Sequence, residues 1–247
     1  MPGDGPMQAA QRAQRPELPR RFYKEAKAGP HEKGFALLLD GRVVKTPGRR
    51  PLAVTSAAVA EALAAEWAAQ GERLEPTTMP LTRIANAAID RVADEMAGVR
   101  AEIVRYAGSD LICYRAASPQ GLVDRQTAAW DPLVAWAREA LGAKLILTEG
   151  VVHVAQSDKA LAAIAAAVEP LDPLRLAALS TATTLTGSAI IALAIAAGRL
   201  TAEEGWAASL IDEEWEMSQW GRDEAALAVR DFRWREMAAA GVILQAA

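Results

Sequence analysis

Phe35-Ala-Leu-Leu-Leu39, Asp40-Gly41 and Arg42-Val-Val-Lys-Thr46 decide how the chain begins to fold. Two β-prone runs flank two residues, and Asp-Gly tolerates the positive φ angles of a tight primed turn. The stretch therefore predicts a β-hairpin. Pro47-Gly48 closes the second strand, and residues 52–55 offer another short one. Working outward, residues 21–55 read as β-rich. Ser56 predicts the cap of a helix over 56–70 that stops at Gly71. Beyond it the chain reads mainly as helix: 81–92, 94–106 capped by Asp94, 131–142 started by Asp131-Pro132, 158–168, 173–178 and 187–197. Thr201-Ala-Glu-Glu204 is a capping box that opens a long helix to Trp220, and 222–239 closes the chain. Residues 110–115 read as a strand, and 144–148 with 151–155, around Glu149-Gly150, as a second hairpin.

Strands and helices do not alternate regularly, which argues against a doubly wound sheet. The expected fold is α+β, a small β-rich domain with a hairpin followed by a larger, mainly α-helical domain. Its parts are a disordered arm over 1–20, a β-rich domain with one helix over 21–78, and a helical domain over 79–247. The boundary falls between Glu75-Pro76 and Pro80, where two prolines bracket Thr77, Thr78 and Met79.

Composition excludes whole classes of function. The 247 residues carry 27 Lys and Arg against 31 Asp and Glu, a balance with no electrostatic footprint for nucleic acid. One cysteine, Cys113, leaves no disulfide framework and no multi-cysteine metal site. Two histidines, His31 and His153, remove most zinc hydrolase and histidine-relay chemistry. Residues 176–198 are free of charge and long enough to span a bilayer, but seven Ser, Thr and Gly residues crowd their first half. They read as a buried helix, so no stable membrane insertion is expected. Residues 1–20 hold no signal-peptide apolar run, and no serine stands before Ser56 as a transit peptide would require. The expected location is cytoplasmic in a bacterium, or the mitochondrial matrix in a eukaryote.

No phosphate loop, GxGxxG or GxSxG motif is present, so neither cofactor nor metal nor catalytic residue is expected. His153 reads as a strand histidine among apolar neighbours, His31 as a solvated loop residue and Cys113 as a small buried hydrophobe. The sharpest local signal is Asp212-Glu-Glu-Trp-Glu216. On one continuous helix Trp206, Leu210, Glu213, Met217 and Trp220 share a stripe about 80° wide, with a carboxylate at its centre. Such a carboxylate is paired, presented to a partner, or used as an acid of raised pKa. Trp215 lies opposite, as on a helix packed both on its own domain and on something else.

Several stretches, in order, resemble a known family: Arg21-Phe-Tyr-Lys24, Leu39-Asp-Gly-Arg42 with Lys45-Thr-Pro47, Glu66-Trp67 with Gln70, and Met79-Pro-Leu-Thr82 with Ala88-Ile-Asp90. They continue as Tyr106, Asp110-Leu-Ile-Cys-Tyr-Arg115, Gln126 with Trp130-Asp-Pro132, Thr186-Gly-Ser188, and Asp212 to Glu216 with Trp220-Gly221. Together these resemble the F1-ATPase assembly chaperones that bind the α subunit of the ATP synthase head. The resemblance implies a non-enzymatic chaperone that holds the free α subunit and shields its β-facing surface until assembly. It ties the acidic segment Asp212, Glu213 and Glu214 to function; with Glu216, where the family usually has Gln, and Trp220 on the same stretch, these are the expected partner-binding residues. A carboxylate-dependent hydrolase and a structural adaptor of another complex are the alternatives left open by the residues themselves.

Overall fold

The computed structural model describes residues 18–150, 152–221 and 223–246. Strand β1 (Ala26–His31) pairs antiparallel with β2 (Gly34–Leu39), and β2 turns through Asp40 and Gly41 into β3 (Arg42–Val43). Asp40 has φ 47° and Gly41 φ 79°, the left-handed pair that a two-residue hairpin needs. β4 (Ala53–Val54) adds to the start of β2. Helix α1 (Ala57–Ala68) covers this sheet, with Leu37, Leu52, Val59 and Leu63 buried in the contact. The hairpin, the short strand and the α+β order are as expected. The expected arm over 1–20 lies outside the described residues except for its end, where Pro19 accepts from Leu74 N–H and Arg20 bridges Arg73.

From Pro80 the described chain is mostly helix: α2 (Pro80–Asp90), α3 (Met96–Ala107), α4 (Gln120–Trp136), α5 (Asp158–Val168), α6 (Pro173–Thr186), α7 (Ala189–Ala196), α8 (Ala202–Ser209), α9 (Ile211–Trp220) and α10 (Glu224–Gln245). Helix α7 is the centre, buried from Ala189 to Ile195. The charge-free run 176–198 is thus core, split by Gly187, and among the described residues no helix is long and apolar enough to cross a membrane. Helix α6 runs on past residue 178 through the threonines. Thr181, Thr184 and Thr186 donate their hydroxyls to carbonyls four residues back, which lets small polar side chains lie inside a packed helix.

Five local expectations are corrected. Ser56 and Asp94 make no side-chain caps; Asp94 instead pairs with Arg50, and α3 starts at Met96 after Glu95. Residues 110–113 are not strand, because the Asp110 carboxylate accepts Ile112 N–H and winds them into a single turn. Asp131-Pro132 does not start a helix. Asp131 is taken by Arg115, and Pro132 sits inside α4, where the missing N–H frees only the carbonyl of the exposed Ala128. The second hairpin does not form, since Gln156 takes both Ile146 N–H and C=O, and β6 (Thr148–Glu149) pairs parallel with β5 (Tyr114–Arg115). Val151 lies outside the described residues. Finally, the capping box at Thr201 is present, but the long helix to Trp220 breaks at Leu210 into α8 and α9.

The β-rich part and the helices are stitched by carboxylates. Glu66, on α1, accepts Leu81 N–H and Thr82 N–H, each at 2.8 Å, and the Thr82 hydroxyl at 2.5 Å. These are the orphan donors at the start of α2, where Pro80 has no N–H to offer and an anion is favoured by the helix dipole. Trp67 Nε1 donates to the same Thr82 oxygen, while Tyr23 donates its hydroxyl to Trp67 C=O. Asp90, at the far end of α2, accepts from Thr46 Oγ1 and Gly48 N–H. Replacing Glu66 by Gln removes the charge and turns an amide donor toward backbone donors. Glu66→Gln should therefore cost about 1.5–3 kcal/mol, or about 4–10 °C in melting temperature for a chain of this length. A calorimetric scan showing no drop would mean that the clamp is dispensable.

Candidate partner-binding site

Helices α8 and α9 meet at Leu210, whose φ of −103° and ψ of 8° bend the chain after Trp206 and before the acidic run. Trp206 is 7% exposed and packs against Trp234, with Arg233 over its ring. Leu210 is buried too. Trp220, at the end of α9, is 87% exposed. One stripe on a continuous helix is thus divided into a buried half and an exposed half, and Glu213 stands where they meet. Helix α9 has no buried residue, and α10 none before Met237. This stretch of two helices without a buried residue, joined by the Glu214–Arg230 ion pair, is the arm.

The predicted residues have different fates. Asp212 Oδ1 accepts from Gln126 Nε2 at 2.7 Å, and Gln126 Oε1 accepts Ala116 N–H, so Asp212 anchors α9 to α4. Glu214 pairs with Arg230 of α10 and ties the two helices to each other. Glu213 is half-buried and, among the described residues, has no hydrogen-bond or ion-pair partner. Glu216 is exposed. Trp215 faces inward: its ring lies over Gly121, where an added Cβ would stand 2.9 Å from it, and Arg125 stacks on it at 5.0 Å. The side opposite the stripe is therefore the one packed on its own chain. Sequence reasoning missed Val229 and Phe232 of α10, both exposed beside the arm. Their signal was an apolar residue on each turn of a helix with no second layer to cover it.

Catalytic chemistry finds little to work with. Burial pushes the Cys113 thiol up to about 12, far from a thiolate at neutral pH. His153 is not among apolar neighbours as expected; it is exposed, and its Nδ1 meets the Tyr114 hydroxyl at 3.1 Å. His31 Nδ1 accepts Lys33 N–H. Among the described residues no three His, Cys, Asp or Glu side chains converge as metal ligands.

Fold and site together define an α+β protein that presents an acidic and aromatic helix, α9, at its surface. The family model of the ATP12 chaperone protein matches residues 20–138. A crystal structure of a candidate chaperone from Agrobacterium tumefaciens is 46% identical, with a TM-score of 0.88 over 99% of this chain and 92% of that one. Atp12 from Paracoccus denitrificans is 42% identical, with a TM-score of 0.84 over 92% of this chain and 97% of its own. An aspartate-to-lysine mutant of that protein is 43% identical at a TM-score of 0.83, over 90% of this chain and 95% of the mutant's. The chain belongs to the ATP12 chaperone family, a family of F1-ATPase assembly chaperones.

Asp110 is the carboxylate whose surroundings come nearest to those of a catalytic acid. It is fully buried, and desolvation pushes its pKa up to about 6 against hydrogen bonds from Ser188, Ile190, Ile112 and Ala189. Those donors hold it at the start of α7, in the core. Its role is structural, with a signature in pH. A carboxylate whose folded pKa lies above its unfolded value of about 3.9 binds more protons when folded. Its contribution is therefore most favourable below about pH 4 and declines as pH rises to 6, by about 3 kcal/mol in all. Asp110→Asn cannot titrate, so its stability relative to the native chain should improve by about that amount between pH 4 and pH 7. Denaturant unfolding of both proteins across that range checks it, and parallel curves would show that Asp110 titrates normally.

Proposed function

We propose that the protein is a non-enzymatic chaperone that binds the free α subunit of F1 and shields its β-facing surface until the ATP synthase head assembles. It would act where that head is built, the cytoplasm of a bacterium or the mitochondrial matrix of a eukaryote. The observation that carries the reading is the arm: Trp220, 87% exposed, with exposed Glu216 and unpaired Glu213 on the same helix. An uncovered tryptophan rimmed by carboxylates is poor design for a free surface and good design for an interface, where Trp is a favoured anchor. The family's place in F1 assembly supplies the class of client. In this reading Glu213, Glu216 and Trp220 touch the client, while Asp212 and Glu214 place the helix that presents them. No observation favours the hydrolase, because the carboxylate of raised pKa among the described residues, Asp110, is sealed in the core.

The test is a pull-down and titration with the α and β subunits separately. The native chain should retain α and not β. Glu213→Gln breaks no internal pair, so its melting temperature should stay within about 1 °C of the native value, as for a surface change. Its affinity for α should fall about tenfold or more, the cost of losing an interfacial charge pair. Trp220→Ala should behave alike. A lowered melting temperature with unchanged binding would make Glu213 a residue of the fold alone.

A further inference from the structure

Charge is distributed unevenly along the chain. Residues 18–55 carry nine Lys and Arg against three Asp and Glu, whereas residues 56–247 carry sixteen against twenty-six. The strand segment 18–55 is thus a cationic pole at +6 on a protein of net charge −4, although over the whole β-rich part, 21–78, the balance is nine Lys and Arg against seven Asp and Glu. At that pole lies a groove of about 550 Å³, lined by Phe22, Tyr23, Leu39, the run Arg42 to Lys45, and Trp67, with Asp40 at one end. Its floor is apolar and buried, from Tyr23 and Leu39. Its wall is Phe22, which is 72% exposed and packs edge-on against Tyr23 at 5.4 Å. Four consecutive residues line it, as happens where a groove follows the edge of a strand rather than one of its faces.

The hairpin register sets what that edge offers. Leu39 and Arg42 flank the turn, and Val44 N–H donates to Leu37 C=O. Pairs alternate along an antiparallel ladder, so Val43 opposite Leu38 turns its N–H and C=O outward. Arg42 and Lys45 flank it, exposed, and among the described residues neither side chain has a hydrogen-bond or ion-pair partner. The acid nearby is already spent: the Asp40 carboxylate accepts Lys24 and Glu25 N–H, which lowers its pKa. Arg42 and Lys45 belong to the stretch Leu39 to Pro47 that carries the family resemblance. The fold uses Asp40, Gly41 and Thr46 of that stretch but neither cation. Positive charge does keep sheet edges apart, yet that purpose requires neither an exposed phenylalanine nor a groove beside it.

We propose that this groove is a second docking surface, which takes an extended, carboxylate-bearing segment of the client along the outer edge of β3, with an apolar side chain against Phe22 and Trp67 and acidic ones on Arg42 and Lys45. Strand addition of this kind draws affinity from main-chain hydrogen bonds and specificity from alternate side chains. The occupant is the client rather than a second copy, because joining the cationic pole of one chain to the acidic arm of the next is a head-to-tail contact with no closure built in. The inference rests on the chaperone reading above, and it gives the protein two contacts of opposite charge.

The experiment uses the full chain. Arg42→Glu combined with Lys45→Glu, and separately Phe22→Ala, are titrated calorimetrically with the α subunit and with the β subunit at 50 and 300 mM salt. The double variant should melt with the native chain, bind the client at least tenfold more weakly at low salt, and show a flatter salt dependence. Phe22→Ala should weaken binding at both salt concentrations. If the double variant misfolds, Arg42→Gln with Lys45→Gln makes the same test. Native affinity and native salt dependence in these variants would overturn the groove. Groove-dependent binding to β alone would keep the groove and overturn the α-subunit reading, and binding to neither subunit would overturn both. Dimers in sedimentation that the double substitution abolishes would give the groove to a second copy and overturn the client assignment.

Discussion

The start of helix α2 is the constraint on which the two parts of the molecule depend. A helix that begins with proline still leaves N–H groups unpaired, and here they point at the β-rich part rather than at water. The Glu66 carboxylate meets them, and Thr82 links it to the Trp67 indole in an unbroken chain of hydrogen bonds. Tyr23 then ties the indole-bearing turn to the start of the sheet. A helix terminus, an ion and an aromatic residue thereby fix the angle between sheet and bundle. The main buried core contains Leu37 and Val54 from the sheet side and Ile243 and Leu244 from the last helix, and a smaller cluster of Tyr23, Leu39 and Leu74 lies beside it.

The same economy explains most residues that carry the family resemblance. Asp90 holds the loop after β3, Asp110 the start of α7, Gln126 the acidic helix, and Trp130, fully buried, donates to Ala208 C=O across the bundle. These are joints between elements. Subtracting them isolates a short set with no structural duty, namely Glu213, Glu216 and Trp220 on the arm and Phe22, Arg42 and Lys45 on the sheet edge. Exposed or unpaired groups that packing does not require are where function resides. The first set lies in the acidic part of the sequence and the second in its cationic segment.

The bend at Leu210 gives the arm its character. On a straight helix, Trp206 and Trp220 would have shared one environment and Glu213 would have been trapped between them. With the bend, Trp206 completes the core and Trp220 is presented to solvent, while Glu213 remains at the border without a partner among the described residues.

Much of this was legible in the sequence. Asp-Gly between two β-prone runs determined the hairpin because few residues accept the φ angles of that turn, and the Thr201 capping box, the Asp158 helix and the buried state of residues 176–198 rest on equally local chemistry. The acidic run at Asp212 to Glu216 stood out for a similar reason, carboxylates and tryptophans within one helical period. Tertiary structure decided what local rules could not. Gln156 suppressed the second hairpin by taking the backbone groups it needed, and Arg115 took Asp131 away from a capping role. The division of the acidic run into anchors and free groups was decided by Gln126 and Arg230, 86 and 16 residues distant from the carboxylates they hold. Propensity is a property of neighbours along the chain, whereas the pairing of a charge depends on what the fold brings beside it.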